Sequence, residues 1–344
     1  MGIQGKGSQL TNITIIGTGL IGTSLGLAIK KAGIKDLRIT GHDRDSGHTR
    51  TAAKMGALDA SESNLPKAVK DADVVIIATP VMAIKEVMGQ IAEHLKDGCI
   101  VTDTGSTKQQ VLEWARELLP ARVSFVGGHP MAGKELSGPS AATATLFQGA
   151  AYVIIPDPKA ANDAAKVVTQ LAESAGARPF YVNAQEHDAF VAGVSHLPLV
   201  VASVLMLAVA KSPAWPEMAR LAAGGLRDTT RLASGEPIMS RDLTVTNSAE
   251  ILPWIDRFIA EMMEFRRSLL ADNVAEVQHH YEWVQERRDR WVGGAELAPR
   301  NQATIEVPGA SEQMAGMLMG DALARKTKEF MDQYGKDDKG KKPN

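Results

Sequence analysis

The chain has 344 residues, of which 44% are hydrophobic and 23% charged, a composition typical of a globular protein with about two domains. The formal net charge of -2 creates no positive field that would favour nucleic acid or an anionic membrane. The single cysteine, Cys99, excludes an intrachain disulfide, and no spacing of Cys and His residues indicates a metal site. The first ten residues lack the pattern of a signal peptide, and the apolar segment Leu197–Ala210 is shorter than a membrane span, so we expect a cytoplasmic protein.

A strand, a glycine turn and a helix follow one another near the N-terminus. The β-branched run Asn12–Ile16 predicts a strand, and helical periodicity extends from Thr23 to Ala32. The glycine motif between them has three tasks in dinucleotide-binding proteins: making the turn, admitting a pyrophosphate and letting helix and strand pack closely. The pyrophosphate would lie at the helix N-terminus, where free N–H groups attract anions. We therefore predict that the cofactor-binding residues include Gly17, Gly19, Leu20, Ile21 and Gly22.

An acidic residue follows the next predicted strand, Leu37–Gly41. Asp43 lies 21 positions after Gly22, where a carboxylate accepts hydrogen bonds from the adenosine ribose and repels a 2′-phosphate. This position favours NAD as the cofactor. The neighbouring Arg44 is a second candidate cofactor residue, since it could pair with a phosphate, and NADP therefore remains an alternative.

Three further strands are predicted, over Val74–Ala78, Ile100–Asp103 and Ser124–Val126. Because ligands bind at the carboxyl ends of parallel strands, we predict that the residues following these strands meet at one edge of the sheet. There, Thr79 and Pro80 would face the cofactor, and Ser106 and His129 would face the substrate.

The histidine at this edge suits a proton acceptor in an alcohol oxidation, because imidazole titrates near neutrality. His129 is preceded by two glycines and followed by a proline, which restricts the backbone and leaves room for a ligand. Two structural alternatives remain open. The Gly-Gly-His-Pro sequence could be a tight turn after a strand, and Ser106 could be a helix N-cap.

Strand signals almost vanish after Asp188, and apolar residues recur at helical spacing. Leu197–Ala210 is nearly all apolar, which predicts a helix that is buried on most sides, with a second subunit as one source of cover. His196 at its start could be a satisfied core residue. We predict an α/β fold with three segments: a Rossmann-type, mostly parallel sheet domain, an all-helical domain, and an appended tail that is partly helical or disordered, at residues 1–183, 184–292 and 293–344.

These motifs, taken in order, resemble the prephenate and arogenate dehydrogenases of tyrosine biosynthesis. The glycine motif alone is shared by many dehydrogenases, whereas the ordered set with these spacings is specific. The resemblance extends over roughly residues 13–288 and is carried by Gly17–Gly22, Asp103–Lys108, Gly128–Glu135, Ser195–Pro198, Arg227–Ala233, Pro237–Met239 and Arg241–Asp242.

The resemblance implies an NAD-dependent oxidative decarboxylation of prephenate to 4-hydroxyphenylpyruvate and CO2, with arogenate as the alternative substrate. In this interpretation His129 accepts the proton of the ring 4-hydroxyl as hydride leaves C4. Ser106 would hydrogen-bond that hydroxyl and orient the imidazole, and His196 would contact the hydroxyl side of the pocket. All three are predicted as catalytic residues.

The resemblance also implies a set of substrate-binding residues. Arg231 would bind a substrate carboxylate, and Glu135 and Asp228 match polar gate residues of the family that would pair with it. Arg241 joins this set because arginine captures carboxylates in a bidentate manner, although surface ion pairing is its more usual role. At the position before it, Ser240 stands where many relatives carry Trp, which weakens the transfer of substrate contacts at that wall.

The predicted partners are a small-molecule substrate and a second copy of the chain, because family members dimerise through the helical domain. Neither nucleic acid nor a membrane is predicted to bind. Two other functions are alternatives for this sequence. Another hydroxy-acid dehydrogenase would commonly place a catalytic lysine on the helical domain, and no such motif is found. A nucleotide-sensing or structural protein of the same fold would not need the intact set Ser106, His129, His196 and Arg231.

Overall fold

The structure is a computed structural model that describes residues 11–161 and 163–295. Its centre is an eight-stranded sheet with the order β3-β2-β1-β4-β5-β6-β7-β8. Neighbouring strands are parallel, except that β6 and β7 are antiparallel. The prediction of a mostly parallel sheet followed by helices is confirmed. The strands are β1 Thr11–Ile16, β2 Leu37–His42, β3 Ala60–Ser61, β4 Val74–Ile77, β5 Ile100–Asp103, β6 Ser124–Pro130, β7 Ala151–Pro156 and β8 Arg178–Tyr181.

Helices connect the strands, and the buried side chains of the described residues form two hydrophobic clusters. On β4, Val74 and Ile76 belong to one cluster while Val75 and Ile77 belong to the other, because successive side chains of a strand point to opposite faces. A strand that is buried on both faces has a continuous apolar sequence. The helices of this part are α1 Leu20–Lys31, α2 Ser46–Lys54, α3 Leu65–Val69, α4 Val81–Ile91, α5 Gln109–Leu118 and α6 Ala164–Ser174.

One difference from the predicted elements concerns the end of β6. The prediction ends this strand at Val126 and leaves His129 after it, whereas the strand extends to Pro130 and includes the histidine. The extension is stabilised by antiparallel pairing with β7, in which His129 lies opposite Val153. The tight-turn alternative for this sequence is therefore wrong. Residues 44–73 contain α2, β3 and α3, and none of these three elements was predicted.

The chain after β8 is helical, as expected. The structure divides into two compact units, one ending at Ala271 and the other beginning at Asp272, and α13 lies in the second unit. The predicted domain boundaries stay predictions, and residues 296–344 of the predicted tail lie outside the described residues. The helices are α7 Ala184–Val191, α8 Leu197–Ala210, α9 Trp215–Leu221, α10 Gly224–Thr229, α11 Pro237–Thr246, α12 Ser248–Leu270 and α13 Val274–Val292.

One feature of α8 corrects the length argument made from the sequence. A π-helical segment, Ala192–His196, joins α7 to α8, so that Ala184–Ala210 forms one helix of 27 residues. By length and composition this helix could cross a membrane, but a single such helix is weak evidence for a membrane protein, because a core helix can have the same length and composition. Within this chain α8 is not covered on most sides, since Ala202 is its one buried residue, and cover by a second subunit stays a prediction. An apolar surface, which includes Val204 and Leu207, is exposed instead.

Candidate active site

The glycine loop between β1 and α1 is shaped for an anionic ligand. Gly17 has a φ of +92°, and a Cβ there would lie 2.4 Å from the carbonyl oxygen of Ala78. At Gly22 a Cβ would lie 2.0 Å from the Gly17 oxygen, so the loop and helix can pack only with glycine. A Cβ at Gly19, by contrast, would have no atom of the described residues within 4 Å. Gly19 caps α1 without a side-chain hydrogen bond, which leaves the N–H groups of the first turn, starting at Leu20 and Ile21, for a phosphate.

Asp43, at the end of β2, is bonded to this loop. One carboxylate oxygen accepts hydrogen bonds from the backbone N–H of Thr18 (2.7 Å) and from its hydroxyl (3.2 Å), and the other accepts from the N–H of Asp45 (2.9 Å). An ionised carboxylate has further lone pairs, so it can also accept from a ribose hydroxyl. Arg44 is exposed and forms no ion pair within the described part of the chain.

The edge of β4 completes the candidate cofactor site. Thr79 and Pro80 follow this strand, and Pro80 caps α4. The Thr79 side chain is adjacent to Gly17, and its buried hydroxyl has no hydrogen-bond partner among the described residues. A buried polar atom without a partner is rare in folded proteins and indicates a place for a ligand or water. These features fit a dinucleotide at this edge.

His129 is buried on β6, 8% exposed, and belongs to a chain of hydrogen bonds. Its Nδ1 lies 2.9 Å from His187 Nε2, and His187 Nδ1 lies 2.7 Å from a carboxylate oxygen of Asp188. Its Nε2 has no hydrogen bond to the described residues and is therefore available to a ligand. Burial lowers the His129 pKa well below its usual value, and the charges of His187, Lys108 and His196 lower it further. The imidazole is consequently neutral near pH 7, as a proton acceptor must be.

A fully buried ion pair lies beside His129. Lys108 donates from Nζ to the carboxylate of Asp103 and, over 2.8 Å, to the carbonyl oxygen of Gly128. The same carboxylate accepts from the N–H groups of Gly105 (2.7 Å) and Gly128 (3.2 Å). These contacts connect the end of β5 to β6 immediately before His129. Desolvation lowers the Lys108 pKa, and Asp103 opposes that effect.

Close packing explains the glycine that precedes His129. A Cβ at Gly128 would lie 2.5 Å from the carbonyl oxygen of Asp103, a distance that real Cβ atoms do not reach. Gly128 therefore lets β6 approach the buried ion pair. The sequence suggested room for a ligand here, whereas the structure uses the space for the protein itself.

His196 ends the π-helical segment and is 1% exposed. Its Nδ1 lies 3.0 Å from Nδ2 of Asn247, and its buried Nε2 has no partner among the described residues. Desolvation lowers the His196 pKa to about 4; Asp188 raises it and His187 lowers it further. The structural alternative of a fully satisfied core histidine does not hold, because one ring nitrogen is unpaired.

Ser106 follows β5 and is half-buried. The described residues show no hydrogen bond between Ser106 and His129, so the contact that orients the imidazole comes from His187. A contact between Ser106 and a substrate hydroxyl stays a prediction. Ser106 is not a helix N-cap, since α5 begins at Gln109 and is capped at Lys108.

Two of the predicted substrate-binding residues pair with each other. Arg231 forms an ion pair with Glu135, and both side chains are partly exposed. No ion pair between Arg231 and Asp228 occurs in the described residues. Arg241 donates two hydrogen bonds to Asp242, at 2.9 and 2.6 Å, and Asp242 also accepts from the N–H of Met82 on α4. Substrate-binding roles for these side chains stay predictions.

Sequence reasoning missed the groups that hold the two histidines. His187, Asp188 and Asn247 were assigned no role, and Lys108 was noted only as part of a motif. His187 is 58 residues from His129 in sequence, so no local pattern connects them. The pattern that could have indicated them is the adjacent pair His187-Asp188 in a predicted helical region, because an acidic neighbour is a common hydrogen-bond partner of a functional histidine.

Comparisons with known proteins agree with this arrangement. Residues 25–181 match the model of the prephenate dehydrogenase nucleotide-binding domain, and residues 183–284 match that of the prephenate dehydrogenase dimerization domain. The chain belongs to the prephenate dehydrogenase family.

Relatives with assigned activities support the same family. Prephenate dehydrogenase from Bacillus subtilis is 36% identical over 279 residues, which cover 80% of this chain and 75% of the relative. The crystal structure of A. aeolicus prephenate dehydrogenase in complex with hydroxyphenyl propionate and NAD+ has a TM-score of 0.76 at 27% identity, with 82% and 99% of the two chains covered. Synechocystis arogenate dehydrogenase has a TM-score of 0.68 at 25% identity, with 82% and 100% covered.

Proposed function

We propose that this protein is an NAD-dependent prephenate dehydrogenase, which converts prephenate to 4-hydroxyphenylpyruvate and CO2. The observation that carries the proposal is the geometry of His129: it is buried, it is held through Nδ1, and its Nε2 has no hydrogen bond to the described residues. Burial lowers its pKa well below the usual value, which favours the neutral imidazole. Family membership and the glycine loop support an oxidoreductase, and this histidine supports proton removal from an alcohol.

NAD would be held by the loop from Gly17 to Gly22, by Asp43 and by the residues after β4, Thr79 and Pro80. When bound, it supplies a hydride acceptor. Asp43 supports NAD over NADP because its carboxylate would repel a 2′-phosphate. The complex of the A. aeolicus relative also contains NAD+.

His129 accepts the proton of the ring 4-hydroxyl through Nε2 as C4 is oxidised. The resulting positive charge is stabilised by the chain through His187 to Asp188, because each group donates to the next and ends at a carboxylate. Cleavage of the bond between the ring and its carboxylate releases CO2 and returns an electron pair to the ring, which becomes aromatic. The oxygen then takes a proton back from the imidazole. Ser106 and His196 would bind the hydroxyl region.

The substrate carboxylates need positive partners in a protein whose net charge is negative. Arg231 would bind one of them, with Glu135 and Asp228 at the entrance and Arg241 in support. The existing pair of Arg231 with Glu135 implies an exchange, in which a substrate carboxylate replaces the glutamate.

Arogenate is the alternative substrate, because the structural relatives include an arogenate dehydrogenase. The two substrates differ at the side chain, where prephenate has a keto group and arogenate an ammonium group. The catalytic roles proposed for His129 and Ser106 are the same for both.

We also propose that the protein is a cytoplasmic homodimer, with the second copy on the helical part. The match to a dimerization domain over residues 183–284 supports this, as does the exposed apolar surface of α8 with Val204 and Leu207.

Initial-rate assays test the activity. The protein is supplied with prephenate or arogenate, each with NAD or NADP, and reduced cofactor is measured. We expect the highest kcat/KM with prephenate and NAD. Preference for arogenate would change the substrate but keep the mechanism, and no turnover with either would refute the proposal.

The variant His129→Asn tests the general base. We expect kcat to fall roughly 10²- to 10⁴-fold, since a positioned proton acceptor contributes that much, while the Kd for NAD stays unchanged. Retained turnover would contradict the role of His129.

A further inference from the structure

His129 and His196 each have one ring nitrogen that is hydrogen-bonded to the protein and one that has no partner among residues 11–161 and 163–295. We propose that Asp188 and Asn247 are positioning residues that fix opposite tautomers on these histidines, so that His129 Nε2 is a hydrogen-bond acceptor and His196 Nε2–H is a donor. The inference deepens the proposed function and rests on it, since it assumes that both free nitrogens face the substrate.

The tautomer of His129 follows from the carboxylate at the end of its chain of hydrogen bonds. The Asp188 carboxylate accepts from the backbone N–H groups of Lys108 (2.8 Å) and Gln109 (2.9 Å), and His187 Nδ1 lies 2.7 Å from one of its oxygens. A carboxylate that receives two backbone N–H groups acts as an acceptor, so His187 donates to it and carries a proton on Nδ1. A neutral His187 then has a lone pair on Nε2 and accepts from His129 Nδ1–H. The remaining nitrogen of His129, Nε2, is left with a lone pair.

The tautomer of His196 follows from an amide whose orientation is determined. Asn247 Nδ2 lies 2.9 Å from the carbonyl oxygen of Asp188, and a carbonyl oxygen can only accept. The amide nitrogen, and not its oxygen, must therefore face this position. The same nitrogen lies 3.0 Å from His196 Nδ1, so Nδ1 accepts and the proton of the neutral ring is on Nε2.

This assignment explains the unpaired atom at His196. Nε2 is buried and has no partner among the described residues, and in the assigned tautomer it carries a proton. A buried donor without an acceptor is rare and is satisfied when a ligand supplies an oxygen. Asp188 contributes to both histidines, to His129 through its side chain and to His196 through its backbone. The acceptor and the donor are therefore set before any substrate binds.

NMR of the protein labelled with 15N-histidine tests the tautomers directly. At pH 8, long-range 1H–15N spectra distinguish a protonated from an unprotonated ring nitrogen, and the variants His129→Gln and His196→Gln assign the signals. We expect His129 to be protonated on Nδ1 and His196 on Nε2. A protonated Nε2 on His129, which an imidazolium at His187 would impose, overturns the inference, and so does a protonated Nδ1 on His196.

The variant Asn247→Asp tests the cause. An aspartate of the same shape can only accept, so we expect the His196 proton to move to Nδ1 while the His129 signals stay unchanged. We expect kcat/KM to fall roughly 10- to 1,000-fold, because the donor is lost. The control Asn64→Asp makes the same chemical change at an exposed helix cap, and we expect it to alter neither spectrum nor rate. An unchanged His196 tautomer in Asn247→Asp would overturn the role of Asn247.

The outcome is separable from that of the proposed function, because the spectra are recorded without substrate. If Asn247→Asp does not fold, the variant Asn247→Ala replaces it, and we expect His196 to show both tautomers because neither is then favoured. A single Nε2–H tautomer in that variant would count against the inference. If the spectra show the expected tautomers but prephenate is not turned over, the proposed substrate is wrong and the positioning roles of Asp188 and Asn247 still hold.

Discussion

Replacement of Lys108 by methionine tests the importance of the buried ion pair beside His129. The substitution removes the ammonium group that pairs with Asp103 and donates to Gly128, and both charged side chains have no solvent exposure. The Asp103 carboxylate keeps two backbone donors, at 2.7 and 3.2 Å, which partly stabilise its charge. Removal of one partner from a buried pair typically costs about 3–5 kcal/mol, because the other charge is left uncompensated.

The assay is urea unfolding followed by tryptophan fluorescence at one protein concentration. We expect Lys108→Met to lower the free energy of unfolding by about 3–5 kcal/mol. The matched control is Lys30→Met, which breaks a pair with Asp59 whose side chains are 29% and 36% exposed. A surface pair contributes about 0–1 kcal/mol, so the control should change little. Equal losses in the two variants would refute the reasoning.

The double variant Lys108→Met with Asp103→Asn separates charge from packing. The asparagine has no charge to leave unpaired, so we expect the double variant to be more stable than Lys108→Met alone. It will remain less stable than the unmodified protein, because an amide oxygen cannot replace both carboxylate oxygens as acceptors for Gly105 and Gly128.

Two further predictions concern pH and the cofactor loop. The folded-state pKa of His196, about 4, is below the ordinary value of 6.5, so between these two values the unfolded chain binds more protons than the folded chain and stability falls as the pH is lowered. The free energy of unfolding, measured at pH 7 and pH 4.5, should therefore decrease less in His196→Gln than in the unmodified protein. Equal decreases in the two proteins would contradict this. Gly19→Ala meets no atom of the described residues within 4 Å, so the Tm should change little, whereas the Kd for NAD measured by calorimetry should rise about tenfold or more, because the methyl group would occupy pyrophosphate space. The control Gly89→Ala meets no described atom within 4 Å either, but it lies inside α4, so the Kd should stay unchanged and the Tm should rise slightly, because alanine favours a helix over glycine. An unchanged Kd for Gly19→Ala would argue against cofactor binding at this loop.

The candidate cofactor site was largely predictable, because the sequence motifs that indicate it are local. The glycine loop, the strand before it and Asp43 all lie within one β-α-β segment, where each residue's task depends on close sequence neighbours. The end of β6 was not predictable in the same way. Its extension to Pro130 depends on pairing with β7, and the need for Gly128 arises from the approach of Asp103, 25 residues earlier.

The sequence indicated the two histidines of the candidate site but not the side chains that hydrogen-bond to them. His129 and His196 are next to recognisable motifs, whereas His187 and Asn247 are connected to them only by the folded structure. What covers α8 could not be predicted for a related reason. An apolar sequence shows that a surface will be covered, but it does not show whether the same chain covers it.

The position of Asp188 has a consequence for recombination between relatives. Its carboxylate accepts hydrogen bonds from the backbone N–H groups of Lys108 and Gln109 at the start of α5. A helix that packs on the sheet is therefore capped by a residue of α7, which follows the last strand, β8. A crossover near residue 183 would inherit the two ends of this contact from different parents. Chimeras should therefore retain most activity when the first residues of α5 and the whole of α7 come from the same parent.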